Sequence, residues 1–266
     1  MGAALIRGML ASGITEADQI NLSASTPESA ERSASALGVV AATSNAGALK
    51  EADVVFLCVK PAKVLDVVSS VATELAEKLV ISIVAGIHSS DIIRAAGGRI
   101  RLIRSMPNTA VRLRKGVTAI APDATSTPAD LETASRIFAS VGSVVEVKES
   151  DLDTVTAVSG SGPAFALLML EALAQGGVEG GLDPELSKTL ATGALASAAA
   201  LVAETGETPL ALRAEITSPG GTTAAGLGVL DESNFPRIVR GAVRAARNRS
   251  AELSARPGSS GTNAGA

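Results

Sequence analysis

The sequence predicts an α/β protein in two parts, a doubly wound sheet with helices on both faces followed by an all-helical domain. Three observations carry that prediction. Short β-rich runs alternate with helical runs over residues 1 to about 150, as βαβ units require. The run from Asp53 to Val59 (DVVFLCV) is apolar almost without a break, the pattern of a parallel strand covered on both faces. After Asp151 the texture changes to long runs rich in Ala, Leu and Glu, with few β-branched stretches. A Rossmann-like domain over 1–150 and a helical domain over 151–255 follow. The end of the chain, 256–266 (RPGSSGTNAGA), reads as a disordered tail with no core-forming residues.

Taken in order, Met1 to Ala11 reads as a helix with Ala4, Leu5, Gly8 and Met9 on one side. Gln19 to Ser23 reads as a strand and Pro27 to Leu37 as a helix. Lys60 and Pro61 stop the strand over 53–59, and Val64 to Lys78 follows as an amphipathic helix. Leu79 to Val84, Arg101 to Ser105 and Gly116 to Ala121 read as further strands of an open parallel sheet. Helix Ala129 to Ser140 and strand Val144 to Val147 close the region. In the second domain, helices are expected over Pro163–Gln175, Asp183–Glu204, Pro209–Glu215, Thr222–Asp231 and Phe235–Ala255. Ser161 and Asp183 are the expected caps of the first two, each close to a proline in the first turn.

Composition narrows the function classes. Apolar residues make up 46% of 266, enough for a sizeable core. Trp and Tyr are absent and Phe occurs four times, so the chain has little material for stacking bases. The net charge of -4 also argues against a nucleic-acid partner. One cysteine excludes an internal disulfide, and one histidine argues against a zinc site, so no metal is expected. Nothing resembles a signal peptide, and no apolar run is read as reaching membrane-spanning length, which makes a cytoplasmic protein the expectation.

Two stretches carry chemistry. A doubly wound domain opens with a strand and a glycine-rich turn before its first helix, but residue 1 is already helical here. Met1-Gly2-Ala3-Ala4 with Arg7-Gly8 reads either as the last part of a dinucleotide fingerprint or as an ordinary helical N-terminus. On the first reading its strand and first glycines are missing, and with them much of the pyrophosphate cradle. After the second strand, where NAD-preferring folds carry an acid for the ribose hydroxyls, stand Ser25 and Thr26, with no acid before Glu28. Hydroxyls suit a 2′-phosphate better, which favours NADPH and leaves NADH as the alternative. The other stretch runs from Ile216 to Leu227 (ITSPGGTTAAGL), a small-residue turn leading into a helical pattern. Gly220 and Gly221 let the backbone approach a ligand. The Thr222 and Thr223 amides then sit at a helix start that favours an anion, such as a small carboxylate. A plain helix cap after a proline turn is the alternative.

Four pieces in order give the chain its likeness. They are Phe56–Pro61 (FLCVKP), Ser105–Thr109 (SMPNT), Val158–Ala164 (VSGSGPA) and, strongest, Leu212–Glu232 (LRAEITSPGGTTAAGLGVLDE). Over residues 1 to about 255 the chain resembles pyrroline-5-carboxylate reductase, the last enzyme of proline synthesis. Ala110 departs from the family's usual proline, and the first strand and Gly-x-Gly are missing. The resemblance implies NADPH-dependent reduction of the C=N bond of 1-pyrroline-5-carboxylate to L-proline. It also implies that Ser218, Gly220, Gly221, Thr222 and Thr223 hold the substrate carboxylate, and that Thr223 hydrogen-bonds the ring nitrogen and relays a proton, a role a bound water could also fill. Gly2, Ala3, Ser25, Thr26, Asn45, Val59, Lys60 and Pro61 become cofactor contacts, and Ala85 and Gly86 line the nicotinamide side. In the family the C-terminal helices intertwine between subunits and complete the active site, so a homo-oligomer, a dimer or larger, is expected.

Other residues read as structural. His88, the lone histidine, falls in a helix-start loop, and Cys58 reads as a buried core thiol. Arg240, Arg244, Arg247 and Arg249 read as a solvated helix face, and the run from Ser159 to Gly162 as the start of a long helix. Two other functions remain open: a β-hydroxyacid dehydrogenase-like oxidoreductase, and a non-catalytic dimeric remnant that lost cofactor affinity with its first strand. The former wants a catalytic lysine on the interdomain helix, and Leu167 to Gln175 holds none.

Overall fold

The computed structural model describes residues 1–255, so the expected tail over 256–266 lies outside the described residues. Helix α1 (Gly2–Ser12) buries Leu5 and Met9 on the face that the sequence pattern marks. After a 3₁₀ turn come β1 (Asn21–Ser23), α2 (Pro27–Leu37), β2 (Val40–Ala42) and α3 (Asn45–Leu49). The α2 boundary follows from local chemistry: the Thr26 hydroxyl accepts from the Ser29 amide, and Pro27 fills the first turn, where an N–H would go unpaired anyway. Next are β3 (Val54–Leu57), α4 (Pro61–Ser70), α5 (Ala72–Leu75), β4 (Leu79–Ser82), α6 (Ser89–Ala95) and β5 (Arg101–Pro107). A 3₁₀ turn over Thr109–Leu113 leads to β6 (Gly116–Pro122), α7 (Pro128–Ala139), β7 (Gly142–Glu146), α8 (Leu152–Val155) and a π-helical turn over Thr156–Gly160. The rest is helical: α9 (Gly162–Glu179), α10 (Pro184–Thr205), α11 (Pro209–Glu215), α12 (Thr222–Glu232) and α13 (Phe235–Ala255).

The chain divides into two compact units, Met1–Gly160 with the chain from Ala246, and Ser161–Ala245. In the first, β1 and β2 form a two-stranded parallel sheet, and a five-stranded sheet runs in the order β3-β4-β5-β6-β7. All four residues of β4 are buried. Side chains alternate across a strand. Val80 and Leu102 therefore face one core with Val64, Val68, Leu75 and Ile92, while Ile81 and Ile103 face another with Leu5, Met9 and Phe138. Phe138 of α7 meets Phe56 of β3 edge-on, with ring centroids 6.0 Å apart at 79°. In the second unit, α9 and α10 pack along their length, with the Ser187 hydroxyl donating to the Ala174 carbonyl at 2.6 Å.

Several expectations are corrected. The sheet is not wholly parallel: β6 runs antiparallel to β5, pairing Ser105 with Ile120. The link between them holds only a short 3₁₀ turn, too little for a parallel crossover. The helix expected over 64–78 breaks at Val71, whose φ of -130° is not helical, giving α4 and α5. Ser161 makes no capping hydrogen bond, because the helical turns of 152–160 run straight into α9. Asp183 does cap α10, accepting from the Glu185 and Leu186 amides. Two helical stretches, Glu149–Glu179 and Pro184–Thr205, are in fact long and apolar enough to cross a membrane by length and composition. Their Ala, Leu and Val content lifts mean hydropathy although neither contains a long unbroken apolar run.

Phe138 has no exposed surface, so Phe138→Ala leaves a cavity between α7 and β3. Urea unfolding is expected to show a loss of about 3–5 kcal/mol.

Candidate functional site

In the first unit, Ser25 and Thr26, Asn45, Val59 to Pro61, and Ala85 and Gly86 follow the carboxyl ends of parallel strands β1 to β4 in turn, where open α/β sheets bind ligands. Gly2 and Ala3 open α1. The Ala4 and Leu5 amides donate to the Met1 carbonyl, which leaves the Gly2 and Ala3 amides outside the helical ladder. The first turn of α1 has no acidic residue and no side-chain cap, so among the described residues no side chain caps those donors. A Cβ on Gly2 would lie 3.1 Å from the Cβ of Cys58, a tight contact between helix end and strand end. Cys58 is exposed just past β3, a correction to its expected burial, because the strand ends at Leu57. Crowding by the end of α1 still pushes its thiol up to about 11, partly offset by the nearby Met1 ammonium.

Gly2, Ala3, Asn45, Cys58 and Val59 share one groove of about 750 Å³ with Ser23, whose hydroxyl donates to the Asn45 Oδ1 at 2.6 Å. Ser25, Thr26, Lys60, Pro61, Ala85 and Gly86 lie outside its lining. Ser25 and Thr26 are exposed at the start of α2, and Lys60 stands exposed at the start of α4 beside Pro61. The bend over Ala85 and Gly86 follows β4. His88 is exposed at the start of α6 and makes no capping hydrogen bond.

Sequence reasoning missed the device that holds that bend. Arg104 of β5, 7% exposed, donates from Nη2 to the Val84 carbonyl and from Nη1 to Glu149 Oε1, both at 3.1 Å. Glu149 Oε1 also accepts the Ser89 amide at 2.7 Å. One ion pair, its guanidinium buried and its carboxylate half-buried, therefore clamps both ends of Val84–Ser89. Burial alone raises the Glu149 carboxyl, but bonds from the Ser89 amide and hydroxyl and from the Arg104 guanidinium outweigh it and hold the group below its usual value. The only signal was an arginine inside an apolar strand run, where charge needs a partner. Arg104 Nε and the hydroxyls of Thr118 and Ser159 are buried without a partner.

In the second unit, Ser218–Gly221 form a turn closed by the Gly221 amide donating to the Ser218 carbonyl at 3.1 Å. Pro219 suits the first central position, and Gly220, with φ 69°, fills the second, as a type II turn requires. A Cβ on Gly221 would run into the Ser218 hydroxyl. Helix α12 then begins at Thr222 without a side-chain cap, and its first helical bond runs from Ala225 to Gly221. The Thr222, Thr223 and Ala224 amides are thus outside the ladder, and both threonines are exposed. The structure therefore builds the predicted donor turn. Among the described residues there is no group of three His, Cys, Asp or Glu that could hold a metal. Arg240, Arg244, Arg247 and Arg249 are exposed along α13, and Arg249 pairs with Glu252.

An open sheet with uncapped donors beyond its strands, followed by a helical unit with its own donor turn, defines a two-part dinucleotide-dependent oxidoreductase. Comparison with known proteins agrees: residues 1–86 match the NADP oxidoreductase, coenzyme F420-dependent family, and residues 149–253 match pyrroline-5-carboxylate reductase dimerisation. A pyrroline-5-carboxylate reductase from Methanosarcina acetivorans is 39% identical over 95% of this chain and 94% of its own length. The solved structure of a pyrroline-5-carboxylate reductase from Coxiella burnetii matches with a TM-score of 0.89 and 31% identity, covering 96% of this chain and 95% of that one. The Plasmodium falciparum pyrroline carboxylate reductase, solved with NADP bound, matches with a TM-score of 0.87 and 29% identity over 96% and 95%. The chain belongs to the pyrroline-5-carboxylate reductase family.

The clamp has a pH signature. A carboxyl whose folded pKa is depressed stabilises the fold above its unfolded value, and that contribution is lost as pH falls through the folded value. The thermal midpoint of the native chain is expected to exceed that of Glu149→Gln at neutral pH. The gap should close as pH drops below the ordinary glutamate value of 4.5. A pH series of melting curves for the two proteins checks this.

Proposed function

We propose that the protein reduces 1-pyrroline-5-carboxylate to L-proline with NADPH. The observation that carries this reading is the donor turn over Ser218–Thr223, which leads uncapped into α12. The first unit supports a cofactor: the Gly2 and Ala3 amides lie outside the helical ladder and can meet an anion, and a Cβ at Gly2 would crowd Cys58. The hydroxyls of Ser25 and Thr26, with no acid before Glu28, favour the 2′-phosphate of NADPH over the bare ribose of NADH. Asn45, Val59, Lys60 and Pro61 flank the same strand ends, and the Arg104–Glu149 clamp holds the bend with Ala85 and Gly86, the proposed nicotinamide side.

Bound reduced cofactor supplies the hydride that converts the C=N carbon to C–H. The chain's residues supply orientation and a proton path. The Gly221, Thr222 and Thr223 backbone and hydroxyls, with Ser218 and Gly220 shaping the turn, hold the substrate carboxylate. The Thr223 hydroxyl hydrogen-bonds the ring nitrogen and relays to it the proton that makes the imine cationic, so that hydride addition leaves the neutral amine. A protonated imine is already electrophilic, so no strong base is needed. The family match favours this reading over a dimeric remnant, and α9 contains no lysine for the β-hydroxyacid dehydrogenase-like alternative.

Residues 1–150 are proposed as the NADP-binding domain and 151–255 as the substrate-binding and dimerisation domain. Exposed Leu167, Leu168, Leu186, Leu190 and Leu210 give the helical unit an apolar surface for a second copy, supporting a homodimer or a larger assembly in the cytoplasm. No nucleic-acid or membrane partner is proposed.

NADPH oxidation with and without pyrroline-5-carboxylate tests the activity directly; no substrate-dependent turnover by the folded dimer sinks the reading. Thr223→Val is expected to lower kcat about 100-fold, with Thr223→Ser restoring most of it. Ser25→Asp is expected to move the ratio of NADPH to NADH affinity toward NADH by about tenfold, the effect of one contact worth about 1.4 kcal/mol, read by fluorescence titration.

A further inference from the structure

The bend after β4 has few bonds of its own. Among the described residues, the amides of Ala85, Gly86, Ile87 and His88 donate to no group of the chain. Arg104 and Glu149 hold its two ends, and Ile87 packs on the core beneath it. The tip, Gly86, is buried against the last turns of α13, which from Ala246 onward belongs to the first unit. A Cβ on Gly86 would stand 3.3 Å from the Leu253 Cβ and 3.6 Å from the Ser254 nitrogen. The φ of 74° also suits glycine, so helix backbone and bend backbone meet closely here.

The seat of this helix end includes a buried polar bond. Leu253 stays 48% exposed, so its contact with Gly86 buries little apolar surface. Ser250, one turn earlier, is 6% exposed, and its hydroxyl donates to Asp153 Oδ1 at 2.6 Å. A short hydroxyl–carboxylate bond is among the stronger kinds, and it fixes the rotation of the helix as well as its position. Asp153 follows Glu149 by one turn on the helical stretch over 149–155. Two carboxylates of one short stretch thus serve the same bend. Glu149 takes the Ser89 amide at its end, and Asp153 takes the helix that covers its tip.

We propose that Ser250 is a positioning residue for hydride transfer: through Asp153 it seats the end of α13 on Gly86 and thereby fixes the bend on which the nicotinamide ring rests. The inference rests on the reductase reading. Half-buried Ala85, beside the covered Gly86, is the part of the bend left for the ring. Hydride transfer needs the reacting atoms about 3–3.5 Å apart, and a misplacement of about 1 Å can cost about 100-fold in rate. Without the bond the helix end lifts, and a tip with no amide bond of its own shifts with it. The Ser25 and Thr26 end of the cofactor site is untouched, so the loss falls on kcat rather than on NADPH binding.

The test compares the unaltered protein with Ser250→Val, Asp153→Ala, the double variant, and Ser250→Thr, which keeps the hydroxyl. Hydrogen exchange without cofactor is read at the Ser89, Leu253 and Ser254 amides. Emission of bound NADPH, kcat and the KM for NADPH are measured beside it. Expected for Ser250→Val is exchange about fivefold faster at those amides, with weaker emission from bound NADPH. Its kcat is expected to fall about tenfold while the KM for NADPH changes less than about twofold. Asp153→Ala and the double variant should match it, because the two residues act as one pair, and Ser250→Thr should restore the native values. Equal exchange in all five proteins would overturn the proposal, and so would faster exchange with emission and kcat unchanged. If the unaltered protein does not turn over pyrroline-5-carboxylate, the reductase reading fails, while exchange and emission still decide whether Ser250 holds the bend.

Discussion

The first unit depends on one constraint, the burial of β4 on both faces. Leu79 to Ser82 expose no side chain, so helices must cover the sheet above and below, and each neighbouring strand is fixed in register by its ladder to this one. With the register fixed, the carboxyl ends of β3 and β4 fall at the same edge. Everything proposed for the cofactor follows from that edge: Val59 to Pro61 leave β3 there, and Ala85 and Gly86 leave β4 there. The Arg104–Glu149 pair belongs to the same logic. A bend beyond a buried strand has backbone groups to satisfy, and here a buried guanidinium takes the Val84 carbonyl while its carboxylate partner takes the Ser89 amide. A buried pair of this kind contributes little net stability, but losing one partner leaves the other charge stranded. Its value lies in holding the bend in one place.

How much of this was legible depended on whether the cause was local. Helix α2 begins and ends where the sequence says, because Thr26, Pro27 and Gly38 are local signals. Helices α11 and α13 also keep their expected bounds, and the donor turn was readable because Pro219 and Gly220 each dictate their own φ. The antiparallel direction of β6 was not readable, since a strand's periodicity carries no direction and the link to β5 holds 3₁₀ structure that resembles a short crossover. Cys58 was misplaced because the strand expected to run to Val59 ends two residues earlier, at Leu57, and boundaries are the least certain quantity in any pattern reading. The clamp was invisible for a different reason: Arg104 and Glu149 stand 45 residues apart, and only the tertiary fold brings them together.

The helical unit shows the opposite balance of forces. Its helices formed where propensity predicted, yet Ser187, Ala191 and Leu212 are the buried residues its α10 and α11 can show, while a series of leucines stays exposed. A monomer seldom leaves so much apolar surface open. The same excess explains why two of its stretches pass a membrane-span test on length and composition. Residues 149–253 match a dimerisation family, and the association proposed above would cover that surface. Sequence hydropathy by itself could not have separated that case from a membrane span.

The chemistry asks little of the side chains, and the sequence supplies little. No histidine–carboxylate arrangement is present, and the lone histidine is exposed at a helix start without a capping bond. The reaction proposed adds hydride to a carbon that its own protonated nitrogen already activates, so the barrier is lowered mainly by holding the reactants in register. Backbone amides are well suited to that task. They carry no charge to be desolvated, and they cannot titrate. At Gly221 to Thr223 they are fixed by a turn whose proline and glycine leave the chain few alternatives. A site built from main chain is nearly silent in composition, and it shows in sequence only through the residues that force the backbone into shape. The proposed donor turn fits that pattern: from Pro219 to Ala225 (PGGTTAA) it holds only proline, glycine, threonine and alanine.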